Sequence, residues 1–268
     1  MKRLLLLFVS FPVCLYADWK VLDRSDSPVS NGKIVASELR VSNGAALAEV
    51  NLVYFTTADV RLEVFANTDG QVRGLRELIE TRGGLAGING GYFQENLDPV
   101  GLLVSNGHVV HGLQKAKLLS GIFYVRDGRP WLARTREFPG TEGIQQAIQC
   151  GPFLVDGSRT VVGLDNRRVA ARTFIFSCGA SEWGFGICRS VTLEELGDIL
   201  AWMAIVPDHH ISRALNFDGG SSATFYVRAG GHTIFSEQRP VVSNYLVMKL
   251  KKPGVATPIF LKRPDPNF

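Results

Sequence analysis

The stretch Ala214 to Val227, ALNFDGGSSATFYV, sets one carboxylate, Asp218, between an apolar run and two glycines, with Ser221, Ser222 and Thr224 just beyond. Three chemistries compete for it. A hairpin turn accounts for the Asp-Gly pair, a dipeptide that marks hairpins and recurs in this chain. A two-residue turn needs only one glycine, however, and polar residues persist where a plain hairpin would return to apolar alternation. A serine-hydrolase elbow accounts for Gly219-Gly220-Ser221-Ser222-Ala223, which approximates G-x-S-x-G. An elbow must pass from strand into helix, with an acid and then a histidine later in the chain. Here ATFYV is β-type, the only later histidine is His232, and no Asp or Glu lies between it and Ser221. The third reading is the floor of a binding site.

Other glycine-rich stretches support the floor. LAGINGGYF runs from an apolar strand into Asn89-Gly90-Gly91 and then Tyr92 and Phe93, and CGPFLVDG is of the same kind. Glycines at strand ends let backbone N–H groups approach a ligand, and arrays of such groups favour anions. RRVAARTFIF carries Arg172 into an apolar strand. A buried guanidinium demands a partner, either a structural carboxylate or a bound anion. His108 and His111, spaced i, i+3 on a hairpin arm, read as surface residues, and no metal-ligand motif is present, so neither metal nor cofactor is expected.

These residues need elements to hold them. Asn43-Gly44, Asn106-Gly107, Asp127-Gly128 and Asp156-Gly157 each separate runs rich in Val, Leu, Ile, Phe or Tyr, the short-range sign of a hairpin. Val60 to Phe65 alternates apolar and charged, while GLLVSNGHVV and GIFYVRDGRPWLA read as strand-turn-strand. Two segments have helical period. One carries Val72, Leu75, Leu78 and Ile79 on one face and ends at Gly83. The other opens with Thr192 and Glu195 in capping-box spacing and places Leu193, Leu196, Leu200 and Met203 on one stripe. Two helices among roughly a dozen strands predict an α+β domain with a mostly antiparallel or mixed sheet.

The amino terminus sets the compartment. Lys2 and Arg3, the apolar run Leu4 to Val9 and a small residue at Ala17 make a secretory signal peptide over residues 1–17, cleaved before Asp18. The run is too short, and too interrupted by Pro12, to span a bilayer. Cys14 lacks the small residues usual before a lipidated cysteine. Residues 18–252 then form one domain, followed by a Pro-rich tail over 253–268, and the expected location is periplasmic or secreted, without stable membrane insertion. Losing Lys2 and Arg3 lowers the formal charge from +4 to +2. A near-neutral chain has no electrostatic footprint for nucleic acid, and Lys249, Lys251 and Lys252 read as a solvated end. Cys150, Cys178 and Cys188 are an odd set, for which one disulfide and one spare thiol is the simple expectation in an oxidising compartment, with buried free thiols as the alternative. Cys178 and Cys188 flank a candidate hairpin.

Taken in order, INGGYF, PVGLLVSNG, CGPFLVDG, AARTFIF, VTLEELGDIL, ALNFDGGSSATFYV and RPVVSN resemble the pattern of the phosphodiester glycosidase family, over about Gly87 to Met248. The family's usual NLDGGGSAT stands here as NFDGGSSAT, with Phe217 for leucine and Ser221 for the third glycine. Its Arg-Thr-Ala-Ile-Gly strand stands as RTFIFS. The resemblance implies hydrolysis of a sugar-1-phosphodiester at the anomeric C–O bond, with a carbohydrate phosphodiester as the partner. For that chemistry Asp218 is the candidate carboxylate facing the sugar, as nucleophile, as base for water or as electrostatic partner, and Arg172 the phosphate ligand; Glu95 and Asp98, in a loop beside the site, either supply a second acid or are merely solvated. Substrate contacts would come from Asn89, Gly90, Gly91, Asn216, Gly219, Gly220, Ser221, Ser222, Thr224 and Asn244, with Tyr92 and Phe93 stacking on the sugar or packing in the core. A phosphate leaving group is already stable as an anion, so charge stabilisation matters more than the acid that ordinary glycosidases need. The rival from another class is a binding module that keeps the pocket without turnover.

Overall fold

The computed structural model describes residues 18–30, 32–67 and 73–251; the leader, Val72, Lys252 and the Pro-rich tail lie outside the described residues. The chain opens with a meander of β1 (Lys20–Ser30), β2 (Ile34–Ser42) and β3 (Leu47–Thr56), followed by β4 (Val60–Ala66). Helix α1 (Leu75–Arg82) precedes β5 (Ala86–Asn89). Next come β6 (Leu103–Ser105), β7 (His108–His111), β8 (Gly121–Arg126), β9 (Arg129–Arg134) and β10 (Ile144–Cys150). The pairs β11 (Phe153–Asp156) with β12 (Arg159–Thr160) and β13 (Ala170–Ser177) with β14 (Glu182–Val191) lead to helix α2 (Leu193–Trp202). The chain closes with β15 (Arg213–Asn216), β16 (Thr224–Ala229), β17 (His232–Glu237) and β18 (Asn244–Leu250).

Three sheets result: an eight-stranded one in the order β1-β2-β3-β14-β13-β15-β11-β12, and two of five strands, β7-β6-β10-β8-β9 and β17-β16-β5-β18-β4. Every pairing between these strands is antiparallel. The fold is α+β, dominated by sheet. Side chains from all three sheets meet in one central core, among them Val53, Phe185 and Leu215 of the large sheet, Ile88 and Phe225 of the second and Phe123 and Ile148 of the third. Helix α2 buries Leu196, Ile199 and Leu200 on the outer face of the large sheet, against Leu154 and Phe174. Helix α1 does the same on the second sheet, through Leu75, Leu78 and Ile79 against Tyr226 and Tyr245.

Local chemistry explains the helix ends. Thr192 Oγ1 accepts the Glu195 N–H at 3.2 Å while Glu195 Oε2 accepts the Thr192 N–H at 2.8 Å, satisfying two N–H groups that the first turn leaves open. Gly83 ends α1 in the left-handed conformation at φ 68°. Three of the four expected turn dipeptides lie between paired strands; in the fourth, Asp156 pairs with Arg159 as the last residue of β11, and the turn is Gly157-Ser158. Asn106-Gly107 and Asp127-Gly128 have positive φ at both residues, the twist that suits a two-residue hairpin.

Four readings need correction. The described strands number eighteen rather than a dozen, because β1 is a largely exposed edge without apolar alternation and others span only two to four residues. Lys249 is not a solvated end: its ammonium pairs with Glu63 Oε2 at 2.5 Å and lies 5.0 Å from the Phe65 ring centre. Lys251 donates to the Thr57 carbonyl at 2.7 Å. Cys150, Cys178 and Cys188 are all free thiols. The β13–β14 hairpin does form, but Cys178 lies opposite Glu182 while Cys188 pairs with Arg172 far down the ladder.

Candidate active site

The site forms where the chain passes from one sheet to another. Between β15 and β16 it leaves the large sheet for the second, and Asp218 sits on that crossing. After β5 it leaves the second sheet through Gly90 and Gly91 toward the third. After β10 it returns from the third to the large sheet through Gly151 and Pro152. Backbone bonds tie the crossings together: Asp218 N–H to the Gly90 carbonyl at 3.0 Å, Asn216 N–H to the Pro152 carbonyl at 3.0 Å and Phe217 N–H to the Thr173 carbonyl at 2.9 Å. A strand that changes sheets has backbone groups its old ladder no longer satisfies, and they must find partners.

Asp218 is held by its own backbone. Its carbonyl accepts from Asn89 Nδ2 at 2.7 Å and from Thr173 Oγ1 at 2.8 Å, and its carboxylate Oδ1 accepts the Gly219 N–H at 2.9 Å. Burial pushes the carboxyl above the ordinary carboxylate range. The Ser222 hydroxyl, the Gly219 N–H and the charges of Arg239 and Arg168 pull the other way.

Arg172, on β13, is 8% exposed. Its Nη2 donates to the Arg168 carbonyl at 2.7 Å, while Nε is buried with no partner. Burial lowers its pKa, with the neighbouring charge of Arg168 acting the same way; a guanidinium stays charged nonetheless. Among the described residues it joins no ion pair, neither with Asp218 nor with any other carboxylate. Gly219 lies between the two charges. A Cβ there would stand 2.8 Å from the Ala171 carbonyl and 3.3 Å from Arg172 Cδ, so only glycine lets the chain pass this close.

The remaining expected residues divide by task. Asn89 is buried and wholly engaged, since its Oδ1 also accepts the Thr224 N–H at 3.0 Å. Asn216 Nδ2 donates to the Gly151 and Phe217 carbonyls at 2.9 and 2.6 Å, leaving Oδ1 buried and unpartnered. Asn244 Oδ1 accepts the Gly91 N–H at 2.8 Å and its carbonyl the Gly90 N–H at 2.8 Å, while Nδ2 is unpartnered. A Cβ on Gly90 would land on that same Asn244 oxygen. Gly220, at φ 61°, opens a short 3-10 turn through Ser222, in which Ser221 is exposed and Ser222 buried. Thr224 Oγ1 donates to the Ser222 carbonyl at 3.3 Å. Tyr92 bonds the Gly151 carbonyl at 2.5 Å, and burial raises its phenol pKa strongly. Glu95 and Asp98 stand exposed on a loop whose ends, Phe93 and Pro99, are bridged, and no hydrogen bond or ion pair ties Glu95 to the site. His108 is exposed on an edge strand and His111 turns to the Gly101 carbonyl at 3.0 Å. Among the described residues no three His, Cys, Asp or Glu side chains converge as for a metal ion.

Two arginines were missed. Arg168 and Arg239 are exposed, join no ion pair among the described residues and act on Asp218 through their charge; Arg239 also lies 5.3 Å from the Phe93 ring centre. Their positions were visible, in RRVAAR and RPVVSN, but charges on loops carry no periodicity that would place them.

These features define an α+β protein whose site sets a half-buried carboxylate beside a buried arginine that joins no ion pair, at a junction of sheets. Residues 82–248 match the phosphodiester glycosidase family model, and the chain belongs to that family. The match begins at the end of α1 and takes in all three crossings. Among solved structures, the catalytic domain of zebrafish N-acetylglucosamine-1-phosphodiester alpha-N-acetylglucosaminidase, auto-inhibited by its pro-peptide, is similar in fold: TM-score 0.59, 16% identity, 85% of this chain and 87% of that one covered. A hypothetical protein from Synechocystis gives 0.56 at 14% identity, covering 82% and 63%. A protein from Burkholderia pseudomallei described as exported gives 0.55 at 11%, covering 79% and 74%. A search of curated proteins finds no match.

Proposed function

We propose that this protein is an exported hydrolase that cleaves the anomeric C–O bond of sugar-1-phosphodiesters on glycans or cell-envelope polymers. Family membership supports the reaction class, and one observation supports the residues: Asp218 and Arg172 sit either side of Gly219 without forming an ion pair. Opposite charges in a partly buried site would normally neutralise one another. Held apart, each can face a different part of one substrate.

In this reading the phosphate lies against Arg172, where the unpartnered Nε–H supplies one donor, and the backbone N–H groups of Gly220 and Ser221 supply others, that of Gly219 being held by Asp218. C1 of the sugar faces Asp218. As the C1–O bond breaks, its electron pair leaves with the phosphate oxygen, and the Asp218 carboxylate stabilises the positive charge growing on the ring. Water delivers hydroxide to C1 and releases its second proton, giving free sugar and a phosphomonoester. The unpartnered Asn216 Oδ1 and Asn244 Nδ2 are an acceptor and a donor suited to sugar hydroxyls or an N-acetyl group.

The leader, read from Lys2 to Ala17, supports export, so protein made with it in a bacterial host begins at Asp18 outside the cytoplasm. The activity test is incubation of that mature protein with a panel of sugar-1-phosphodiesters while free reducing sugar is measured. Release by the wild type and its loss in Asp218→Asn carries the reading. Saturable binding without release from any member of the panel makes the protein a binding module instead.

A further inference from the structure

Away from Asp218, a groove of about 510 Å³ opens along one face of α2, lined by Trp19, Arg159, Thr160, Glu194, Asp198 and Trp202. Its size is that of a small-molecule site, which typically holds about 300–1,000 Å³. Trp202 is 68% exposed and Val162, also on the groove, 98%. An indole left this open contributes little to its own core and is the kind of side chain that serves a ligand.

The polar groups are equally uncommitted. Thr160 Oγ1 donates to Asp198 Oδ1 at 2.7 Å. Asp198 Oδ2, the Glu194 carboxylate and the Arg159 guanidinium have no hydrogen-bond or ion-pair partner among the described residues. With Asp18 also on the groove, three carboxylates against one arginine disfavour a phosphate. They suit hydroxyl groups, which donate to carboxylates and accept from guanidinium, while the C–H face of a sugar ring suits indole.

Position links this groove to the reaction. The loop from Val161 to Val169 lines it through Val161, Val162 and Gly163, then reaches Arg168, whose carbonyl holds Arg172. Five residues of chain, from Gly163 to Arg168, span at most about 18 Å. Resting on the hydrolase reading above, we infer that the Trp19–Trp202 groove is a second carbohydrate subsite, which binds neutral sugar residues of the substrate remote from the bond that is cleaved.

Two measurements test this on the mature chain. Isothermal titration of the Asp218→Asn protein with maltotetraose, cellotetraose and chitotetraose gives saturable binding for at least one. Affinity falls about tenfold in a Trp202→Ala background and is largely restored by Trp202→Phe, with melting temperatures checked to confirm folding. In the active protein, Trp202→Ala raises KM for a tetrasaccharide-1-phosphodiester about tenfold more than for the monosaccharide-1-phosphodiester. Glu194→Gln and Asp198→Asn act in the same direction. No binding of any of the three sugars, or equal KM changes for long and short substrates, overturns the subsite. The titration needs no turnover, so an absence of hydrolysis removes the hydrolase reading while the groove is still judged on its own.

Discussion

Asn89 on β5 and Asp218 beyond β15, 129 residues apart, are joined by a 2.7 Å hydrogen bond from the Asn89 amide to the Asp218 carbonyl. The same Asn89 side chain accepts the Thr224 N–H at 3.0 Å. One buried side chain thus holds both ends of the loop that carries the carboxylate, and fixes it to the second sheet just where the chain leaves the first. The Asp218 side chain is left to the site.

Asp218→Asn keeps this frame, because an amide oxygen still accepts the Gly219 N–H. Turnover of a sugar-1-phosphodiester should fall by about two orders of magnitude or more, the scale of losing one strong electrostatic contribution. Ser221→Ala, at an exposed position, should retain most activity. Full activity in the first variant, or its loss in the second, contradicts the assignment.

The pH profile should carry the mark of Asp218. In the proposed mechanism its ionised form is the active one, and burial sets its pKa above the ordinary carboxylate value while Arg239 and Arg168 lower it. The acid limb of kcat/KM, which reports the free enzyme, should therefore lie above the ordinary carboxylate range. Arg239→Ala removes a cation that favours the ionised form, so the limb should move to higher pH. A limb that stays in place separates Arg239 from the electrostatics of Asp218.

The same shift has a stability consequence with a definite sign. A carboxyl whose pKa is higher folded than unfolded contributes stability that is present in full below the unfolded value, about 3.9, and lost as pH rises through the folded value. Asn cannot ionise and suffers no such loss. The melting temperature of Asp218→Asn relative to wild type should become more favourable between pH 4 and pH 7. A constant difference across that range means that the carboxyl is not perturbed by folding.

Arg172→Lys retains charge but not the planar array of donors. It should lower kcat/KM for the phosphodiester while leaving a cooperative melt. An unchanged kcat/KM assigns Arg172 a structural task.

Gly219→Ala tests the spacing of the two charges. Its φ of −120° suits alanine, but the new Cβ would press on the Ala171 carbonyl and Arg172 Cδ. The expected cost is about 1–3 kcal/mol of stability, together with a fall in activity larger than the loss of folded protein explains. Wild-type kinetics would show that the passage between Asp218 and Arg172 tolerates displacement.

Much of the fold was legible along the chain because its cues are local. The Thr192–Glu195 capping box, the Leu196 and Leu200 stripe and the glycine turns at 107 and 128 each act within a few residues, where propensity and period are decisive. The edge strand β1 was not legible, since KVLDRSDSPVS is mostly exposed and an unburied strand has no face to reveal by alternation. In the site, the sequence by itself singled out the residues now proposed to carry the chemistry: Asp218 between its apolar run and glycines, and Arg172 entering an apolar strand. Only the tertiary structure decided how they stand. The Gly90, Gly151 and Asp218 crossings meet, Arg172 goes unpaired and Arg168 and Arg239 turn their charge on Asp218 because three sheets close on one core. The hydrogen bonds that hold those crossings join residues too far apart in the chain for any local pattern to encode.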